Sequence, residues 1–268
     1  MGEPERRGNG VAPSIRTDVP HPARIYDYWL GGKDNFAADR SAAEHALELV
    51  PEFLDYARGN RQFLVRAVRF LADSGIRQFL DIGTGLPTSP NVHEVAQSIR
   101  PDAHVVYVDN DPMVFLHAEA LMAKNNTTSV VRADLRNVDD VLGRAGELLD
   151  LAQPTALMFV ACLHHVEDDD DPAGLVAGYL KALVPGSYLV LSHCTDEFGY
   201  EAMQRSSADA KERGATFVPR GREDILRMFN GRELLDPGLV LVSYWRPDDG
   251  QPDPNAGRVW AYGGIARV

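Results

Sequence analysis

A doubly wound α/β fold with a mostly parallel sheet is predicted for this chain by three observations. Apolar runs of strand length alternate with segments of helical period, several of those runs end in an acid or a glycine turn, and the last two follow each other with no helix between them. The 268 residues and 44% hydrophobic content suit one such domain with a small appendage.

The first periodic element is a helix in which Leu64, Ala67, Val68 and Leu71 share a face, and it stops at Gly75. A short run from Ile76 to Ile82 reads as a strand aimed at the Gly83 turn. Ser89 and Pro90 then supply an N-cap and first position for a helix carrying Val92, Val95, Ala96 and Ile99 on one side. The unit recurs. "AHVVYVD" from Ala103 to Asp109 is the second strand, and Asp111 with Pro112 caps a helix that turns Val114, Ala118, Leu121 and Met122 inward. "TSVVRAD" ends the third strand at Asp134, and the unbroken run "TALMFVACL" is a fourth, covered on both faces. Asp171 and Pro172 open a helix with Val176, Tyr179, Leu180 and Leu183 on one face, before the fifth strand "SYLVLSHC". "GLVLVSYW" and "RVWAYGGIA" are separated only by loop residues, so they are expected to pair antiparallel.

Composition narrows the partners. A formal net charge of -12 and a pI near 5.1 disfavour nucleic acid and anionic membranes. No run reaches membrane-spanning length, and the N-terminus lacks the apolar core of a secretory signal. Cys162 and Cys194 lie in apolar runs without metal-like spacing, which fits two buried thiols in a cytoplasmic protein. Residues 1–18 are expected to be disordered, 19–50 to form a helical lid, and 51–268 to form the main domain. Oligomeric state is left open by the sequence.

Ligands of open α/β sheets bind beyond the carboxyl ends of the strands, so the acids and turns at those ends should converge. Gly83 and Gly85 let backbone approach a ligand closely. Asp109, ending the second strand, can accept from both hydroxyls of a ribose, and Asp134, ending the third, from an exocyclic adenine amine. The set points to an adenosine-containing ligand. For a nicotinamide dinucleotide the third glycine position is Thr88, and Pro87 stands where the pyrophosphate-binding helix should start. Asp81, just before the turn, suits an ammonium or sulfonium better than a pyrophosphate. These features favour S-adenosyl-L-methionine over NAD.

"VPHPARIYDYWLGGKDNFAADR", "FLDIGTGLPT", "NVHEVAQ", "VVYVDNDP", "LHHVEDDDDPAG" and "GSYLVLSH", in that order, carry a resemblance. The chain resembles class I S-adenosylmethionine-dependent methyltransferases, and within them the actinobacterial S-adenosyl methyltransferase family, formerly a domain of unknown function. The resemblance covers most of the chain, from Val19 to the terminal hairpin. It implies a Rossmann-like seven-stranded methyltransferase sheet whose last strand lies antiparallel beside the fifth. It also implies that Asp81, Gly83, Thr84 and Gly85 approach the methionine part, Asp109 with Asn110 the ribose, and Asp134 with Leu135 the adenine.

The N-terminal segment is expected to place a helix from Pro22 to Leu30 over the cofactor, with Ile25, Tyr28 and Trp29 inward. Arg24, Lys33 or Asn35 would then meet the methionine carboxylate, with Arg58 or Asn60 on the same rim. His164 and His165 end the fourth strand and His193 the fifth. One of them is a candidate base if the acceptor must lose a proton. Each has a second reading as a polar strand end satisfied by backbone groups. The expected activity is methyl transfer to a small-molecule acceptor, the alternatives being an NAD-dependent oxidoreductase or a non-catalytic cofactor-binding protein.

Overall fold

The computed structural model describes residues 15–122, 126–248, 250–251 and 255–268. Most of the expected disordered tail, and the side chains of Leu121 and Met122, lie outside the described residues. Three helices come first: α1 (Pro22–Trp29), α2 (Ala37–Leu49) and α3 (Phe53–Asp73). There follow β1 (Gln78–Ile82), α4 (Val92–Ile99), β2 (His104–Asp109), α5 (Pro112–Met122), β3 (Thr128–Arg132), α6 (Val138–Ala145) and β4 (Ala156–Val160). The chain ends with α7 (Pro172–Leu180), β5 (Tyr188–Cys194), α8 (Tyr200–Glu212), α9 (Arg222–Arg227), β6 (Val240–Leu241) and β7 (Ala261–Arg267).

One seven-stranded sheet has the order β3-β2-β1-β4-β5-β7-β6. The first five strands are parallel, and β7 runs antiparallel to both β5 and β6. The expected terminal pair is therefore present, but β6 is short, and the main partner of β7 is β5, over the register Tyr188↔Arg267 to Cys194↔Ala261.

Both faces of the central strands are buried, which is why their sequences read as continuous apolar runs. Phe79, Val105, Met158 and Val190 pack toward α3 and α4 on one side. Leu80, Val106, Leu157 and Leu189 pack toward α6, α7 and α9 on the other. The strand order reverses between β1 and β4, so a crevice opens at the carboxyl ends of these two strands.

Two local expectations are corrected. Helix α4 starts at Val92 with Asn91 as its cap, not at Ser89 and Pro90. The reason is Glu94, whose carboxylate accepts from the Asn91 N–H at 2.6 Å and from Ser89 Oγ at 3.0 Å. Helix α1 turns Ile25 and Trp29 inward as expected, both half-buried, but Tyr28 is held at the surface by Glu44, to which its Oη donates at 2.9 Å, and the most deeply buried groups are Arg24 and Asp27. Arg24 donates to the carbonyls of Arg16 and Val19 and pairs with Asp39 and Asp111 at 3.5 and 3.4 Å. Asp27 accepts from Asp34 N–H at 3.0 Å and Asn35 Nδ2 at 2.9 Å. A Cβ on Gly32 would come within 2.0 Å of the Asp27 carboxylate, so the loop after α1 closes this tightly only with glycine there.

Candidate active site

A cavity of about 460 Å³ lies over the carboxyl ends of β1, β2 and β4, roofed by α1, α2 and the segment after α8. That size falls in the range of small-molecule sites, about 300–1,000 Å³. Its two ends differ in chemistry.

The polar end is built by the strand ends. Gly83, Thr84, Gly85, Asp109, Asn110, Asp134 and Leu135 all line it. Gly83 and Gly85 have φ of +69° and +68°, the left-handed region that favours glycine. Asp109 fixes the turn, accepting from Gly85 N–H through Oδ2 and from Asp111 N–H through Oδ1, each at 2.9 Å. Each oxygen keeps a further lone pair for a ligand. Burial raises the pKa of the Asp109 carboxyl. Asp134 is held by Arg136, whose Nε and Nη2 meet its two oxygens at 3.0 and 2.6 Å, and this guanidinium lowers its pKa.

Asp81 does not line the main cavity. It borders a water-sized recess beside it, with Arg61, Thr84, Gly85, His93 and Tyr107. Thr84 Oγ donates to its Oδ2 at 2.9 Å, and burial pushes its pKa up to about 6. Arg24, Lys33 and Asn35 are also absent from the lining: Asn35 is bonded to Asp27, Arg24 donates to backbone carbonyls and keeps its Nε, which makes no hydrogen bond, in an ion pair with Asp111 at 3.4 Å, and Lys33 is exposed. Arg58 is exposed as well. Asn60 does line the cavity. It accepts from Ser192 Oγ at 2.5 Å and donates to Tyr26 Oη at 3.0 Å, tying α3 to β5 and α1.

The sequence reading passes over Arg61, which borders both the cavity and the recess. Its Nη2 donates to the carbonyls of Thr88 and Pro90, and its Nε is buried with no hydrogen-bond partner. Such an orphaned donor needs an explanation, and an anionic ligand group supplies one. Following the α3 periodicity back from Leu64 would have found this face, since Phe53, Ala57, Asn60 and Leu64 recur at helical spacing.

The other end is aromatic. Trp29 stacks on Phe53 with centroids 4.9 Å apart, Phe217 meets Phe53 edge-on at 5.6 Å, and Tyr56 meets His164 edge-on at 6.2 Å. His164 and His165 both line this end, on a single 3-10 turn after β4. The turn follows Ala161, whose φ of 59° is unusual for a residue with a Cβ. His193 packs edge-on behind His164, with centroids 5.4 Å apart, but does not line the cavity and is fully used. Its Nδ1 donates to Cys194 O at 2.7 Å, and its Nε2 accepts from Arg220 at 2.9 Å.

Burial lowers the pKa of all three histidines, to about 4 for His165, to about 3 for His193, and well below the usual value for His164. Folded-state values below the unfolded one mean that the unfolded chain binds more protons as pH falls through about 6.5. Their stabilisation is complete above that pH and is lost progressively down to about 3, with Asp81, whose pKa is raised, opposing part of the loss. The melting temperature is therefore expected to fall between pH 7 and pH 4.5. A His193→Gln variant should lose less over that interval than the parent, whatever its stability at pH 7; an equal or larger loss would remove His193 from the cause.

Among the described residues, no cluster of three or more His, Cys, Asp or Glu could hold a metal ion, and no helix is long and apolar enough to cross a membrane.

A family model described as S-adenosyl methyltransferase matches residues 9–268. A crystallised protein from Thermobifida fusca, provisionally assigned as a methyltransferase, is similar at 44% identity and a TM-score of 0.87, over 93% of this chain and 95% of that one. A DUF574 family protein from Streptomyces avermitilis gives 40% identity and 0.88, over 94% and 99%. Human N-acetylserotonin methyltransferase, solved with S-adenosylmethionine, shares the fold at 15% identity and 0.50, over 93% of this chain and 63% of that one. No functionally curated protein matches the chain.

Proposed function

Because the chain belongs to the S-adenosyl methyltransferase family, whose cofactor is S-adenosyl-L-methionine, we propose that it transfers a methyl group to a small-molecule acceptor by in-line displacement within this cavity. The observation that carries the reading is the two-ended lining: a polar end suited to an adenosine and an amino acid, joined to an aromatic end large enough for a second reactant. The cofactor supplies a methyl carbon already activated by its sulfonium, so the protein's task is chiefly alignment and exclusion of water.

The residues present fit that cofactor. Asp109 takes the ribose hydroxyls on its remaining lone pairs, with Asn110 beside it. Asp134 and Leu135 border the adenine, and Asp134 shares its carboxylate between the base and Arg136. Gly83, Thr84 and Gly85 give the methionine part a wall of backbone. Arg61 replaces Arg24, Lys33 and Asn35 as the carboxylate-binding group, and Asp81 acts behind Thr84 as a buried acid near the ammonium. The lid residues Arg24 and Asn35 hold α1 in place. A net charge of -12 supports a small-molecule acceptor over nucleic acid, and two buried free thiols suit a cytoplasmic setting.

Isothermal titration with S-adenosylhomocysteine and, in parallel, NADH tests this. Binding of the first alone is expected; tight binding of NADH alone would overturn the reading. Arg61→Met should weaken S-adenosylhomocysteine binding about tenfold, the worth of one charge-assisted hydrogen bond. It should leave 5′-methylthioadenosine, which has no carboxylate, unchanged. Equal losses for both would show that Arg61 only supports the fold.

A further inference from the structure

Resting on that reading, we propose that the acceptor is a flat, largely apolar aromatic compound bearing a hydroxyl, that this oxygen is the one methylated, and that His165 Nε2 receives its proton.

The walls of the acceptor end set the shape. Trp29, Phe53, Tyr56 and Phe217 present ring faces and edges within a few ångströms of one another, the surroundings in which a planar ring buries most area. Charge is almost absent there. The two charged residues of α8 and its end that reach the cavity, Asp209 and Arg213, pair with each other at 2.8 Å, and Asp209 also meets His45 at 3.2 Å. A cationic acceptor would find no free counter-charge.

The polar groups then set the chemistry. His165 Nδ1 lies 2.7 Å from Thr216 O, which can only accept, so the proton sits on Nδ1 and Nε2 carries a lone pair. No described residue hydrogen-bonds to Nε2. The loop that fixes this tautomer is itself anchored: Val218 N–H donates to His164 O at 2.7 Å, and Thr216 Oγ donates to Glu167 at 3.0 Å. His164, 3% exposed and with its ring 4.4 Å from that of His165, leaves its Nδ1 buried and unpartnered. Native structures rarely leave such groups unsatisfied, and a hydroxylated ligand satisfies them. Burial keeps His165 neutral at pH 7, so it accepts a hydrogen bond.

A hydroxyl oxygen is a far better nucleophile once its proton leaves, whereas a neutral aromatic amine attacks through a lone pair it already has. In the transfer, an oxygen lone pair forms the bond to the methyl carbon, the sulfur keeps the electron pair of the broken bond, and the hydroxyl proton moves to Nε2. Water then removes it.

The test measures binding of 2-naphthol, naphthalene, 2-naphthylamine and cyclohexanol by intrinsic fluorescence or calorimetry, with and without saturating S-adenosylhomocysteine. Expected is binding of 2-naphthol at least tenfold tighter than the other three, with methylation to 2-methoxynaphthalene when S-adenosylmethionine is added. His165→Leu should bring 2-naphthol down to naphthalene while leaving S-adenosylhomocysteine affinity unchanged, and His165→Gln, which keeps an acceptor oxygen, should recover part of the loss. In the unaltered protein, S-adenosylhomocysteine binding with no preference for 2-naphthol, or a preference for the amine or the alicyclic alcohol, overturns the proposal. A His165-dependent preference for 2-naphthol without S-adenosylhomocysteine binding upholds the aromatic hydroxyl site at His165 but overturns the methyl-donor reading, and with it the methylation of that oxygen.

Discussion

Replacing Asp109 with alanine is expected to weaken S-adenosylhomocysteine binding by about a hundredfold or more. Hydrogen bonds to a charged group are worth about 1.5–3 kcal/mol each, and a ribose offers two; even one and a half kcal/mol per bond exceeds two decades. The same carboxylate also holds the turn, through Gly85 N–H and Asp111 N–H. Its loss frees the backbone of Gly85 as well as removing the ribose contacts. Asp109→Asn separates these contributions. It keeps one acceptor oxygen and can still hold one of the two backbone donors, so a loss nearer tenfold is expected. Both variants should fold, because the buried carboxylate is disfavoured by its own desolvation, as its raised pKa indicates. Titration calorimetry beside thermal melting reads affinity and stability separately. An alanine variant that melts normally and binds S-adenosylhomocysteine as tightly as the parent would move the ribose elsewhere.

The central parallel strands were legible because they are buried on both faces and lead into a polar side chain or a glycine turn. Phe79 to Ile82 and Ala156 to Val160 have no solvent face to interrupt their apolar sequence. Their carboxyl ends share one crevice by topology, so reading Asp109 and Asp134 as neighbours of one ligand needed only the strand order. Helices that bury little apolar surface left no such trace. In α8 only Met203 and Ser206 are buried, and α2 turns two alanines and an aspartate inward. Neither shows the apolar stripe that periodicity detects.

The first helix misled for a related reason. The aromatics of α1 look like its core face, yet the groups it buries are Arg24 and Asp27, whose partners include Asp39 in α2 and Asp111 before α5. A buried ion pair between distant segments has no local signature. Arg61 was hidden the same way: a charged residue on a long helix reads as solvent-facing until the fold shows its Nε enclosed. The histidines divide along this line too. His193 is satisfied by Cys194 O and by Arg220. Only the assembled structure separates it from His164 and His165, which keep unpartnered nitrogens beside the cavity.

The turn itself gives the largest expected effect on stability. Gly83 and Gly85 share a left-handed backbone, so sequence alone treats them alike, but their surroundings differ. A Cβ on Gly83 would lie 2.4 Å from Cys162 Cβ, whereas one on Gly85 would meet nothing closer than Ala23 Cβ at 3.9 Å. Gly85→Ala is therefore expected to cost only the left-handed penalty, about 1–2 kcal/mol, and to show mainly as weaker cofactor binding. Gly83→Ala adds overpacking against a rigid neighbour, about 1–3 kcal/mol more, for a fall in melting temperature of roughly 4–20 °C at about 2–4 °C per kcal/mol. The cause can be isolated, because the clash is with the Cβ of Cys162 and not chiefly with its sulfur. Cys162→Ala keeps that atom and should show no coupling to Gly83→Ala in a double-mutant cycle. Cys162→Gly removes it and should recover at least about 1 kcal/mol beyond additivity. Coupling with alanine at 162 as strong as with glycine would mean that the sulfur, and not the backbone-borne carbon, limits how closely the β4 turn approaches the glycine turn.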